Sequence, residues 1–383
     1  MQGQRHGYEQ LHASCSGLSI GLIYMKKILI VITTAFVPTG GLATVMLNYY
    51  RNMDRKQMRI DFASTNVVPE VLAEELGRNG DRYTQLPKRK YVPVYFNALR
   101  KLCRDYDVVH INGNSATAAI ELLAARMAGV PVRLAHNHTT KTGHRIMHTL
   151  LLPVFRSSYT AGFACSEEAG NWLFGKGKFS VLRNAIDVGK YAYKEANRIR
   201  LREGLQIPQD AFVMGHVGKY NAPKNHFKLL EVFAEYQKRH EGAFLVCVGY
   251  GPLRAQIEER IVELGLSGKV ILTGERTDIP ELLSTMDVFV FTSRWEGLGL
   301  AVIEAQASGL PCLLSDRVPQ DVNLSDHVSF LPLEVDNRAW AEKVEELMIS
   351  DREGQCGRNA ESITKGGYNI KTEADKLRAS YMG

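Results

Sequence analysis

DVFVFTSRWEGLGLAVIEAQASGLPCLLSD, residues 287–316, reads as one complete strand–loop–helix–strand unit. The apolar run 287–293 is a strand, Gly297 and Gly299 open a loop, and a helix is expected from about Leu300 to Ser308. Gly309 stands where helices commonly stop, with Pro311 just beyond. A second apolar run, 310–316, follows. Strands that are apolar throughout are buried on both faces, which points to parallel sheets covered by helices.

The same rhythm extends in both directions. Residues 26–36, 59–65, 107–113, 130–138, 162–166 and 179–184 read as strands in the first half, and 211–218, 243–249, 269–274 and 329–333 complete the second. Helical stretches such as Glu70–Asn79 and Ala116–Ala128 lie between them. About twelve strands exceed one doubly wound sheet, and 383 residues match two or three domains at roughly 150 residues each. The expected fold class is α/β, with two Rossmann-like, doubly wound parallel-sheet domains facing a cleft. The expected boundaries are a loose extension at 1–24, a first domain at 25–188 and a charged linker at 189–209. A second domain follows at 210–365, with a terminal helix at 366–383 packing back on the first. Ligands are expected at the carboxyl ends of the strands.

Composition narrows the function. With 45% hydrophobic and 23% charged residues, the chain is neither disordered nor fibrous. Its six cysteines are scattered, which excludes a zinc-finger spacing, a CxxC pair and a disulfide scaffold, and fits a reducing cytoplasm. Residues 1–188 carry ten more basic than acidic side chains, whereas the remainder is mildly acidic, so the first half is expected to face something anionic. The apolar stretch 18–37 is broken by Lys26 and Lys27 and is too short to span a membrane. A secretory signal is disfavoured by Glu9 and by the lack of a small-residue cleavage site. A dinucleotide fold would show GxGxxG after its first strand. Here the first strand leads into PTGGL (38–42), and Gly249-Tyr-Gly251 has no third glycine.

Two segments carry the chemistry. In 292–311 the glycines remove side chains where backbone amides meet a helix N-terminus, an arrangement suited to a diphosphate. Glu296 in the loop and Glu304 inside the helix can accept hydrogen bonds from two separate sets of hydroxyls. In HVGKYNAPKNH (216–226), Lys219 and Lys224 leave the same edge of the sheet. Two ammonium groups there would stabilise the charge that grows on a departing diphosphate. Asp105-Tyr-Asp107 has the form of a metal-binding DxD, but it precedes its strand at the end away from the cleft. No metal or other cofactor is expected. His110, His136 and His138 lie on strands or at their ends.

These motifs together resemble the retaining GT-B glycosyltransferases of family 4 (group 1), particularly those of bacterial capsule and exopolysaccharide assembly. The resemblance runs from Met25 to the C-terminus and rests on Glu296-x7-Glu304, Gly218-Lys219…Lys224, VGYGPLR (248–254), TGERTDIPELL (273–283), CSEEAGNWLFG (165–175) and RNAID (183–187). It implies a nucleotide-sugar donor, with UDP the expected nucleotide, and a saccharide acceptor carried on a lipid. Glu296 would contact the donor sugar and Glu304 the ribose. Gly218, Lys219, Lys224 and the loop Gly297, Leu298, Gly299 and Leu300 would hold the diphosphate. The segment opening with Arg276 and Asp278 would contact the base, and Gly40 and Gly41 would approach from the other domain. A histidine would sit beside the reacting sugar, with His138 favoured and His136 the other candidate. Lys219 departs from the family's usual arginine, replacing a planar fork by a point charge.

Two basic, apolar stretches, residues 88–104 and 141–155, suit docking on an anionic membrane. That location would be the inner face of the cell membrane. Nucleic-acid binding has no recognisable module. A sugar-nucleotide 2-epimerase of the same fold and a non-catalytic sugar-nucleotide-binding partner are the alternative readings.

Overall fold

A computed structural model describes residues 24–37, 41–140, 142–347 and 351–383. Seven strands come first: β1 (Lys26–Ile32), β2 (Met58–Ser64), β3 (Tyr83–Gln85), β4 (Val108–Gly113), β5 (Val132–Asn137), β6 (Ala161–Ala164) and β7 (Ser180–Val181). They form one parallel sheet in the order β3-β2-β1-β4-β5-β6-β7. Six more follow: β8 (Val213–Val217), β9 (Phe244–Val248), β10 (Val270–Gly274), β11 (Val288–Phe291), β12 (Cys312–Ser315) and β13 (Val328–Leu331). Their sheet is also parallel, in the order β10-β9-β8-β11-β12-β13.

Each sheet is buried on both faces, as the apolar strand pattern requires. Ile28, Ile30 and Ile32 of β1 point into one core while Leu29 and Val31 point into another. In β11, Phe289 and Phe291 face one core of the second lobe, and Val288 and Val290 the other. Strand order reverses between β1 and β4, and again between β8 and β11. Loops leaving adjacent strands diverge at such a point and open a crevice at the carboxyl edge.

The sequence reading missed β3. It is a three-residue edge strand, too short to show any periodicity. The expected linker at 189–209 is likewise folded. Val188–Tyr191 is a 3-10 turn and Glu195–Gly204 a helix. Leu201 joins a second-lobe core, and the buried Arg202 guanidinium binds Asp287 at 2.8 Å and the carbonyls of Thr285 and Ala211. A charged composition looked like linker because the sequence does not show that one arginine is spent on burying backbone carbonyls.

The chain crosses between lobes twice, and the crossings lie side by side. Ile186 N–H donates to Tyr368 at 2.9 Å, and Ile370 N–H donates to Ile186 at 2.8 Å. The final helix, Ile370–Met382, then buries Ile370, Ala374, Leu377 and Tyr381 in the core that also holds Ile28 and Ile30. The expected N-terminal extension lies outside the described residues except for Tyr24, whose hydroxyl donates to Asp107.

Candidate active site

The second lobe's site is built where its strand order reverses. β8 ends at Val217 and leads through Gly218, Lys219 and a 3-10 turn, Ala222–Lys224, into the helix His226–Gln237. Asn221 caps that turn by accepting from the Lys224 amide, and Asn225 adopts a left-handed φ of 54°. β11 leads through residues 292–299 into the helix Leu300–Ala307. Two bonds tie these loops together. The Arg294 amide donates to the Pro223 carbonyl at 2.7 Å, and the Thr292 hydroxyl donates to the Asn225 carbonyl at 3.1 Å.

Between the joined loops, the Lys224 ammonium donates to Glu296 Oε1 at 2.7 Å and stands 4.5 Å above the Phe291 ring. The two partners are 72 residues apart in sequence, and their side chains are 19% and 11% exposed. The pair is thus poorly solvated yet still open to a ligand.

Glycine is required at particular points here. Gly299 holds a φ of +87° at the entry to Leu300–Ala307, a conformation an L side chain rarely adopts, and no side chain caps this helix. Its first amides and the positive end of its dipole are therefore available to an anion. Gly297 is not held to glycine in this way, since its φ is not left-handed and a Cβ there would meet nothing within 4 Å. Gly249, at φ +148°, lets the β9 loop close over β8, since a Cβ there would stand 2.1 Å from the Gly218 carbonyl oxygen.

The other predicted residues have separate partners. Lys219 does not join the Lys224–Glu296 pair. Its ammonium lies 6.0 Å over the Tyr250 ring. Arg276 and Asp278, after β10, form a two-pronged pair at 2.8 and 2.6 Å. Each is shifted toward its charged form by the other, Arg276 upward and Asp278 downward. Glu304 accepts from the Tyr191 hydroxyl at 2.9 Å. Burial raises the Glu304 carboxyl above its ordinary range, while Tyr191 and the Lys190 charge pull it back. Sequence reading did not find Tyr191, because it lies just inside the stretch taken as linker.

In the first lobe, Gly41 opens the helix Gly41–Asn52 after β1, and Gly40 lies outside the described residues. The three histidines form a column. His110 and His136 stack at 5.4 Å, and His136 and His138 meet at 4.0 Å. Burial drives the His110 imidazole down to about 3 and His138 to about 4, and it holds His136 well below its ordinary value. All three are therefore neutral at neutral pH. The innermost, His110, pairs its Nδ1 with the Tyr381 hydroxyl at 2.7 Å, a structural role. His136 is sealed between its neighbours at 2% exposure. His138 is the half-buried outer member, its Nε2 3.1 Å from Asn112 Oδ1. Sequence reading missed Asn112 and Tyr381, which come from another strand and from the far end of the chain.

Asp107 accepts from the Lys27 amide at 2.8 Å and from Tyr24 at the amino end of β4, so this half of the DxD ties down backbone. Among the described residues, no group of three His, Cys, Asp or Glu side chains could hold a metal ion.

The two basic stretches differ. In residues 88–104 the helix Val92–Cys103 buries Tyr95, Leu99 and Cys103, and Arg89 is spent on the buried Glu121 at 2.7 and 2.9 Å. Tyr91, Val92 and Val94 remain exposed. In the helix Arg145–Ser158, by contrast, Ile146, Met147 and Leu150 are 78%, 48% and 65% exposed. Lys141 lies outside the described residues. No helix among the described residues is long and apolar enough to cross a membrane.

Comparison with known proteins agrees with this architecture. The family described as glycosyl transferases group 1 matches residues 197–363, and glycosyltransferase family 4 matches residues 39–190. EpsF of Bacillus subtilis (strain 168), a protein designated a glycosyltransferase, is 33% identical over 368 residues, covering 88% of this chain and 96% of its own. A UDP-Gal:alpha-D-GlcNAc-diphosphoundecaprenol alpha-1,3-galactosyltransferase of Escherichia coli is 29% identical over 72% of this chain and 75% of its own. Among solved structures, Anabaena Alr3699/HepE in complex with UDP superposes with a TM-score of 0.74 at 17% identity, covering 93% of this chain and 99% of that one. WaaG, a glycosyltransferase involved in lipopolysaccharide biosynthesis, gives 0.62 at 14% identity, over 91% and 99% of the two chains. With two parallel sheets in this order and a close relative along nearly its whole length, the chain belongs to the GT-B glycosyltransferases of family 4, group 1.

Proposed function

We propose that the protein transfers a hexose from a UDP-sugar, with retained configuration, to a lipid-linked saccharide during surface-polysaccharide assembly. The observation that carries this reading is the Lys224–Glu296 pair beside the uncapped helix at Gly299. An ammonium has three protons to donate, so Lys224 can hold Glu296 and still reach a phosphate. The helix N-terminus would take the other phosphate oxygens, Glu296 the sugar hydroxyls and Glu304 the ribose. UDP as nucleotide is supported by the bound UDP of the Anabaena protein and by the UDP-galactose named for the Escherichia coli relative. The latter's diphosphoundecaprenol acceptor supports a lipid carrier.

In the step envisaged, cleavage of the bond between the anomeric carbon and the diphosphate runs ahead of attack, through an oxocarbenium-like transition state. Lys224 and the helix amides stabilise the charge that collects on the leaving phosphate. The acceptor hydroxyl then attacks from the face the phosphate has left and passes its proton to a phosphate oxygen. The products are the glycoside and UDP, and the configuration is kept. His138, neutral and half-buried, would hydrogen-bond the sugar without competing for the phosphate's charge. Fixed ammonium and amide groups do here what a divalent ion does in other transferases, so the reading includes no metal.

A nucleotide-release screen tests it. Purified protein with UDP-, GDP- and ADP-sugars and a lipid-linked saccharide extract should release UDP only when acceptor is present. Interconversion of free UDP-sugar without acceptor would instead establish the epimerase. No turnover with any UDP-sugar would overturn the donor assignment.

The proposal places the protein at the cytoplasmic face of the membrane through the helix Arg145–Ser158. Its exposed Ile146, Met147 and Leu150 lie on a helix carrying Arg145 and Arg156, a pattern suited to an anionic lipid surface. Vesicles containing anionic lipid should float the protein at low salt and lose it at high salt. Ile146→Asp with Leu150→Asp should abolish flotation, and flotation unchanged in that variant would rule this face out.

A further inference from the structure

Tyr191 ends the 3-10 turn Val188–Tyr191, immediately after the crossing at Ile186. The turn packs against three helices of the second lobe, Ile279–Leu283, Leu300–Ala307 and Arg352–Lys365, and the Tyr191 ring is partly buried against that core. Its hydroxyl therefore has little freedom, and it is spent on Glu304 Oε1 at 2.9 Å.

A carboxylate at the end of two methylenes has several staggered arrangements. One fixed donor on one oxygen selects among them. The carboxylate offers about four lone-pair sites, so after Tyr191 is bound it can still accept two further donors, the number that a vicinal diol brings. Tyr191 and the neighbouring Lys190 also oppose the effect of burial and favour the ionised acid, the form with no proton of its own.

We infer that Tyr191 is a positioning residue for nucleoside recognition: it turns Glu304 so that the free lone pairs meet both ribose hydroxyls of the bound nucleotide. This rests on the reading that Glu304 receives the ribose. The role lies in the chain crossing, outside the Glu-x7-Glu segment, and separates sugar recognition in the nucleoside from diphosphate binding at Lys224.

The test is calorimetric titration of the full chain with UDP and 2′-deoxy-UDP, the matching GDP and ADP pairs, and inorganic pyrophosphate. Hydrogen bonds to a charged acceptor contribute about 1.5–3 kcal/mol, so the wild type should prefer the ribonucleotide by about tenfold or more. Tyr191→Phe removes one oxygen and keeps the ring. It should cut the preference to about threefold or less, with pyrophosphate affinity within about twofold of wild type. Glu304→Gln should also collapse the preference.

The outcomes separate the two claims. A Tyr191→Phe protein with the full wild-type preference overturns the positioning role alone. So does one that loses pyrophosphate binding together with the preference, since the tyrosine would then serve the fold. A wild type with no ribose preference for any base, or a Glu304→Gln protein that keeps it, overturns the Glu304 reading and this inference with it.

Discussion

The two lobes are wound alike, with strand order reversing once in each, but they equip their carboxyl edges differently. The second lobe presents charged groups that are already matched: Lys224 with Glu296 and Arg276 with Asp278, while Glu304 is held by Tyr191. The first presents one uncharged imidazole, the half-buried His138, backed by the buried rings of His136 and His110. The difference teaches that one winding can serve two tasks. Matched charges, held by cross-linked loops, suit a diphosphate that brings its own negative charge. A neutral histidine suits a sugar, whose hydroxyls need partners, and adds no charge to compete for the phosphate.

The largest test of that contrast is Lys224→Ala. It removes the ammonium proposed to meet the phosphate and leaves Glu296 unpaired in a poorly solvated site. Turnover should fall on the order of 10²–10³, the loss typical of one oxyanion donor. Steady-state rates with saturating donor would show it. A loss of only a few-fold would mean that the second lobe's charge is not what drives departure of the leaving group.

Acid should act on the neutral side of the comparison. His110 is held near 3 and His138 near 4, against about 6.5 in an unfolded chain. The folded state thus binds fewer protons than the unfolded one. The stability from these groups is complete above about pH 6.5 and is lost as pH falls, down to about 4 for His138 and about 3 for His110, by up to about 1.4 kcal/mol per pH unit for each histidine. The second lobe holds two such histidines, His216 and His226, so both lobes should weaken and the first more. Amide hydrogen exchange at pH 7 and pH 5, corrected for intrinsic rates, should show greater loss of protection in β4 and β5 than in β8 and β11. Equal loss in the two pairs would erase the contrast.

How much of this was legible in the sequence follows the same division. The layered α/β fold could be read because strands buried on both faces are apolar throughout, and because Gly309 ends its helix as a glycine should. The paired loops of the second lobe could be read because each carries its chemistry within some twenty residues. What could not be read was contact across the chain. Nothing near residue 110 announces Tyr381, and nothing near Glu304 announces Tyr191. Arg89 and Arg202 looked like surface charges, although one is bound to buried Glu121 and the other is itself buried. A sequence shows how many charges it has, but their partners are set by tertiary packing.

His138→Ala probes the first lobe directly. If His138 stands beside the reacting sugar as proposed, removing this one neutral hydrogen-bonding group should slow turnover by about ten- to a hundredfold. The affinity for UDP, which the proposal assigns to the second lobe, should not change. Calorimetry with UDP beside the rate measurement separates the two. If UDP binding weakens as much as turnover, the histidine column belongs to the nucleotide site and the two lobes do not divide the work as described.

The smallest effect is expected at Lys219, and it bears on how finely the second lobe is matched to its anion. The ammonium lies over Tyr250 and outside the Lys224–Glu296 pair, so its geometry is not fixed by a partner carboxylate. Arginine at this position would supply a planar fork able to bind two phosphate oxygens at once, whereas lysine supplies a compact point charge. If the charge alone matters, Lys219→Arg should change the donor KM and kcat by no more than about threefold, while Lys219→Met costs more through loss of the charge. Should Lys219→Arg instead lower turnover as far as Lys219→Met, the pocket is shaped around an ammonium. The second lobe would then discriminate by fit as well as by charge.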